Sequence, residues 1–68
     1  MDWNVHGNLL SVTSENKANF EILSLSGSVL SKSGKAVKAW SVELGNQAVI
    51  FRMTSGGASK SYLVQGVK

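Results

Sequence analysis

The chain of 68 residues contains no cysteine and no proline, and it has a single histidine and four acidic residues. Without cysteine it can form neither a disulfide nor a thiolate metal site. His6 cannot build a metal centre alone, because the sequence places no cluster of carboxylates around it. We therefore expect no metal site and no cofactor. A chain of this length holds one domain with a thin core.

Long apolar runs are also missing: none approaches the roughly 20 residues that span a bilayer, so we expect no transmembrane segment. Residues 1–4 have neither the basic nor the apolar region of a signal peptide. Seven basic residues against four acidic ones give a net charge of +3. Because these charges are spread along the chain, they suit solubility or weak attraction to acidic surfaces better than tight nucleic-acid binding.

Short apolar runs recur along the chain, separated by glycine, asparagine and serine. Such spacing is typical of antiparallel strands in a sandwich or a small barrel. The alternation agrees, since Val49, Phe51 and Met53 share one face of a strand. The seven candidate strands are Trp3–His6, Leu9–Thr13, Phe20–Leu25, Val29–Ser31, Ala36–Leu44, Val49–Met53 and Ser61–Val67. We predict an all-β domain.

The segment Lys35–Leu44 has a competing helical interpretation. Ala36, Ala39, Trp40 and Glu43 lie at the spacing of one helix face. The segment is short, however, with glycines near both ends and residue types that favour strands. We predict a strand here.

No arrangement in the sequence predicts catalysis. On a strand, Asp2 and His6 would lie about 13 Å apart, which is too far for a base and its orienting acid. The stretch Ser55-Gly56-Gly57 lacks the lysine and the helix of a phosphate loop, and it fits a hairpin turn. We predict that the chain is not an enzyme and has no catalytic residue.

The aromatic residues leave two interpretations open. Trp3, Tyr62 and Trp40 could form a platform for sugar rings, or they could belong to the core, where large aromatics dominate burial. Trp40 alternates in phase with Val42 and Leu44, which favours the core. Trp3 is flanked by polar residues, so a platform would rest on Trp3 and Tyr62.

Three lysines, Lys32, Lys35 and Lys38, precede Trp40 closely. Basic residues interleaved with an aromatic can indicate nucleic-acid binding, but a single-strand binder normally adds several stacking aromatics. We favour a solvated segment whose lysines discourage edge-to-edge pairing of sheets. A small basic β-barrel that binds nucleic acid remains a further alternative.

Two strand–turn–strand patterns carry a family resemblance. Residues 20–30 read from one apolar strand through a glycine turn into another, and residues 49–53 lead through a Gly-Gly turn into residues 60–64. Over residues 9–68 the chain resembles the C-terminal sorting domains of bacterial type IX secretion cargo, and the basic terminal domains of secreted fibre-degrading enzymes. It departs from the family at the turn aspartate, which is Ser24, and at residues 47–49, which replace a glycine–x–tyrosine motif.

The resemblance implies a small antiparallel Ig-like β-sandwich of about seven strands. It would form the C-terminal part of a larger protein that is secreted or held at the cell surface. A secretion translocon or a cell-surface component would recognise its last hairpin, and no catalytic residue is carried over. The recognition residues would be Lys60, Ser61, Tyr62, Leu63, Val64 and Lys68.

Two further expectations concern partners. A carbohydrate-binding module, which would bind a polysaccharide through its aromatics, is the first alternative function and is compatible with a sorting role. A marginal domain with an exposed strand edge could also form a weak homodimer by strand pairing.

Overall fold

The structure is a computed structural model that describes residues 1–67. It contains six antiparallel strands in one sheet, which curls into a half-barrel. The strands are β1 (Asp2–His6), β2 (Leu9–Leu23), β3 (Val29–Lys32), β4 (Val37–Glu43), β5 (Ala48–Ser55) and β6 (Ala58–Gln65). The prediction of an all-β, antiparallel domain is confirmed. In this described part of the chain, no helix is long and apolar enough to cross a membrane.

The long strand β2 organises the sheet. Its first half, Leu9–Thr13, pairs with β1 on one side and with β4 on the other. Its second half pairs with β5 through residues 19–23 and with β3 through residues 21–23. The register with β4 shifts between Thr13 and Ala18. Such an irregularity bends a strand and increases its twist, so one strand can serve both halves of a curled sheet.

The predicted count of seven strands is wrong, because two candidates are parts of one strand. The polar residues 14–17 separate two of the candidate strands, Leu9–Thr13 and Phe20–Leu25. In the structure the backbone stays extended through these residues, and both candidates belong to β2. This stretch contains no glycine and no proline, and three of its four residues are exposed. Among residues 1–67 the strands form a single curled sheet, and two stacked sheets of a sandwich are not seen.

The segment that could have been a helix is strand β4. Val42 lies opposite Leu10, and Trp40 lies opposite Val12, so the inward residues of β4 pair with those of β2. The strand prediction for this segment is confirmed. The alternation of apolar and polar residues predicted this strand correctly, because every second side chain of a strand points to the same face.

The last hairpin is closed by the turn Gly56–Gly57. Both glycines have positive φ, 57° and 84°, which is the combination of a type I′ turn and matches the twist of the flanking strands. Ser55 pairs with Ala58, and the register continues without a bulge until Ala48 faces Gln65. The predicted turn is therefore confirmed, although β6 covers residues 58–65 rather than 61–67.

The core fills the concave face of the curled sheet. Its buried side chains come from alternate positions of β2, β5 and β6 and from Leu44, because inward and outward residues alternate along each strand. Partly buried side chains of β1 and β4 pack against them. The largest fully buried side chains are Phe20, Phe51, Leu10, Val12 and Val49. In the described part of the chain these side chains form one apolar interior, which is shared by both halves of the sheet.

Replacing Phe51 by alanine removes a ring from the centre of this interior. We expect the free energy of unfolding to fall by about 3–5 kcal/mol, which is comparable with the whole stability of about 3–10 kcal/mol for a domain of this size. Leu63→Ala is the matched control on the neighbouring strand, because Leu63 is 72% exposed. It should change the stability by less than about 0.5 kcal/mol. Urea denaturation measures both, and equal losses would contradict the burial pattern.

Candidate binding surface

All five aromatic side chains of the protein form one connected row, which we call the aromatic row. At one end the ring centroids of Trp3 and Tyr62 are 5.3 Å apart, and both rings contact Phe51, at 5.8 and 6.0 Å. Phe51 stacks on Phe20 at 6.0 Å, and Phe20 stacks on Trp40 at 5.9 Å. The two phenylalanines are fully buried, whereas the residues at the two ends are half-buried.

This row shows where each proposed sugar-binding aromatic lies. Trp40 packs nearly parallel to Phe20, with an interplanar angle of 8°, so it lies against the core as its alternation indicates. Trp3 and Tyr62 are in contact, as a platform would require, but their planes are tilted by 49°. The pair therefore does not form one flat plane at its end of the aromatic row.

The residues that the resemblance assigns to recognition divide between two faces of β6. Tyr62 is half-buried and Val64 is buried, because both point into the concave face. Ser61 and Leu63 are exposed on the convex face, and Lys60 is exposed on the concave side near the turn. Lys68 lies outside the described residues.

Leu63 belongs to a second line of side chains, which we call the apolar row. Strand pairing places Val29 beside Leu23, Leu23 beside Ile50, and Ile50 beside Leu63. These four residues lie on the convex face, opposite to the core. Val29 is 50% exposed and Leu63 72% exposed, so the row presents apolar surface at both ends. The sequence signal for it is a pair of adjacent apolar residues in β2, β5 and β6, where strict alternation would place a polar one.

Beside the apolar row runs a charged one. Glu21 faces both Lys32 and Arg52 across the strands. Arg52 donates from Nε and Nη2 to the same Oε1 atom of Glu21, at 3.0 and 2.7 Å. The carboxylate is thus held by a cation on its own face, which is the arrangement of a surface ion pair.

The three lysines predicted to form a solvated segment lie around the break between β3 and β4. Lys32, Lys35 and Lys38 are all exposed. The break itself is held by Ser33, whose hydroxyl accepts a hydrogen bond from the backbone N–H of Phe20 and donates one to the carbonyl of Lys35. The lysines therefore lie along an outer strand edge.

The structure leaves Asp2 and His6 at opposite ends of β1. Asp2 and His6 remain on the convex side of β1, opposite Thr13 and Leu9 respectively. Within residues 1–67 no group of three or more histidine, aspartate or glutamate side chains could hold a metal ion. Comparisons with protein-family models, with curated proteins and with solved structures found no significant match.

The contact between Trp3 and Tyr62 can be tested by a double-mutant cycle with leucine at each position. Because an aromatic pair contributes beyond its buried area, we expect a coupling energy of about 0.5–1.5 kcal/mol in the free energy of unfolding. The control cycle joins Trp3 with Trp40, which lie at opposite ends of the aromatic row. Its effects should add to within about 0.5 kcal/mol. A Trp3–Tyr62 cycle that is equally additive would contradict the packing of β1 on β6.

Proposed function

We propose that this chain is a non-catalytic accessory or sorting domain of a secreted or surface-attached bacterial protein. Its C-terminal hairpin, β5 and β6, is recognised by the secretion machinery or by a cell-surface component. The observation that carries the proposal is the exposure of three side chains of β6: Ser61 and Leu63 on the convex face, and Lys60 on the other face of the strand, near the turn. An apolar side chain with a hydroxyl on the same face and a cation at the strand's other face provides both contact area and polar groups to orient a partner.

The turn after β2 supports the family resemblance behind this proposal. Ser24 occupies the place of the family's aspartate, and its hydroxyl accepts a hydrogen bond from the backbone N–H of Ser28 at 3.1 Å. The backbone N–H of Gly27 donates to the carbonyl of Ser24 at 2.9 Å. Serine and aspartate side chains stabilise turns by the same type of bond, so the substitution keeps the local function.

The proposal that the chain is non-catalytic is supported by the contacts that its aromatic and charged side chains make within the fold. The aromatic row packs into the concave face, and Arg52 engages Glu21 on the convex face. The Ig-like sandwich that the resemblance implies would need a second sheet stacked on this one. Recognition through β6 does not require that second sheet, because the exposed side chains of β6 already lie on the surface.

Export of a fused reporter tests the proposed function. We expect a reporter that carries this chain at its C-terminus to be exported by a bacterium with a type IX secretion system. Leu63→Glu should lower the exported fraction at least about fivefold, which corresponds to roughly 1 kcal/mol of recognition energy. Ser41→Glu, at an exposed position of β4, is the matched control and should leave export unchanged. Retention of the fusion in cells that export a known cargo domain would contradict the proposal.

A second candidate function, polysaccharide binding, is favoured by one observation: Trp3 and Tyr62 are adjacent and half-buried at the open end of the aromatic row. A soluble polysaccharide that binds there should change the tryptophan fluorescence. Trp3→Leu should abolish the change, whereas Trp40→Leu, at the other end of the row, should preserve it. Loss of the signal with Trp40→Leu instead would contradict a site at Trp3 and Tyr62.

A further inference from the structure

The outer edges of the sheet are protected to different degrees. Along one side of β2 the edge is interrupted between β3 and β4, and it carries Lys32, Lys35 and Lys38. Strand β1 has five residues and carries Asp2. Strand β6 has eight residues in an unbroken register, and Lys60 is its only charged residue. Natural proteins protect strand edges with short strands, interruptions and charges, so β6 is the edge most open to pairing.

The geometry of the hairpin shows which backbone groups this edge offers. In a two-residue hairpin the closing pair, here Ser55 and Ala58, exchanges hydrogen bonds, and bonded pairs then alternate along the strands. The residues between the bonded positions direct their N–H and C=O groups away from β5. These residues are Ser59, Ser61, Leu63 and Gln65. Within residues 1–67, none of the backbone hydrogen bonds made outside the strand ladders involves them.

The apolar row points to the same edge. Leu23 lies between Val29 and Ile50 and is only 6% exposed. Leu63 has a neighbour on one side only, Ile50, and is 72% exposed. A strand added to β6 with an apolar residue beside Leu63 would cover it as Leu23 is covered.

We propose that β6 pairs in an antiparallel manner with β6 of a second copy of this chain, about a two-fold axis at Leu63. In this register Leu63 faces Leu63 of the partner subunit, and Ser61 faces Gln65 of the partner subunit. On the concave side, Tyr62 faces Val64 of the partner subunit. The residues whose backbone groups point outward then face one another, which antiparallel pairing requires.

Two properties favour this register: it joins the apolar rows of the two copies, and it keeps their lysines apart. With the axis at Leu63, the apolar rows of the two copies join into one. Lys60 faces Gly66 of the partner subunit, so the two lysines are about 20 Å apart along the strands. An axis at Tyr62 would also align outward backbone groups, but it would place Leu63 beside Ser61 of the partner subunit and interrupt the joined row. The surface of β6 is therefore self-complementary in one register.

Single cysteines test the register directly, because the chain has no cysteine of its own. Directly opposed residues have Cα atoms about 5.5 Å apart, which lies within the range of a disulfide. We expect Leu63→Cys to form a covalent dimer under mild oxidation, detected by intact mass. Ser61→Cys is the matched control on the same strand. It should not cross-link to itself, because the two copies of residue 61 would lie about 13 Å apart. A mixture of Ser61→Cys and Gln65→Cys should form the mixed dimer.

Sedimentation equilibrium tests the dimer without a cross-link. Leu63→Lys places two like charges at the axis and should raise the dissociation constant at least about tenfold. Ser41→Lys adds the same charge on β4 and should leave the dissociation constant unchanged. Added salt should strengthen the unmodified dimer, since each copy carries a net charge of +3. The inference does not rest on the proposed function, because purified chain suffices.

Three results would overturn this proposal. The first is a chain that stays monomeric up to about 1 mM, where association would be too weak to matter. The second is Ser61→Cys cross-linking as fast as Leu63→Cys, since random collision would explain both. The third is a mixed disulfide between Ser61→Cys and Leu63→Cys without a Leu63→Cys homodimer, which would place the axis at Tyr62.

Discussion

The fold depends on the bend of β2, because this strand contributes to both halves of the sheet. Its inward residues keep the same phase before and after the bend, from Leu10 and Val12 to Phe20 and Ile22. If the phase changed at residues 14–17, the second half would turn its apolar side chains to solvent. The bend therefore has to curl the sheet without reversing its faces, and this allows β1 to pack Trp3 against β5 and β6.

Much of this arrangement could be predicted from the sequence because it depends on local properties. Alternation located the strands, the two glycines located the last turn, and the phase of Trp40 placed it against the core. Residues 14–17 were misread because a polar run has the same composition in a loop and in an exposed bend. Only the pairing of β2 with four other strands shows that the chain stays extended there.

The candidate surface was predicted less completely, because it depends on strand register. The exposure of Leu63 could be predicted only by knowing that it lies beyond Ile50 at the edge of the sheet, where no strand of residues 1–67 pairs with its other side. The apolar row likewise joins residues from β3, β2, β5 and β6, which are distant in sequence. No local pattern encodes that alignment. Because the concave face is filled by core packing, the exposed residues of the apolar row, Val29 and Leu63, lie on the convex face.

The edge of β6 can serve a second copy or another partner, but not both at once. Its outward backbone groups at Ser61 and Leu63 are used once in either case, because each N–H and each C=O group forms one ladder bond. Self-pairing would be a bimolecular equilibrium, so it would dominate at high concentration of the chain and release the edge on dilution. A dimer would thus shield the edge from unspecific strand pairing until the chain is dilute or a partner competes for β6. A competing partner would then have to bind β6 more tightly than a second copy of the chain binds it in this register.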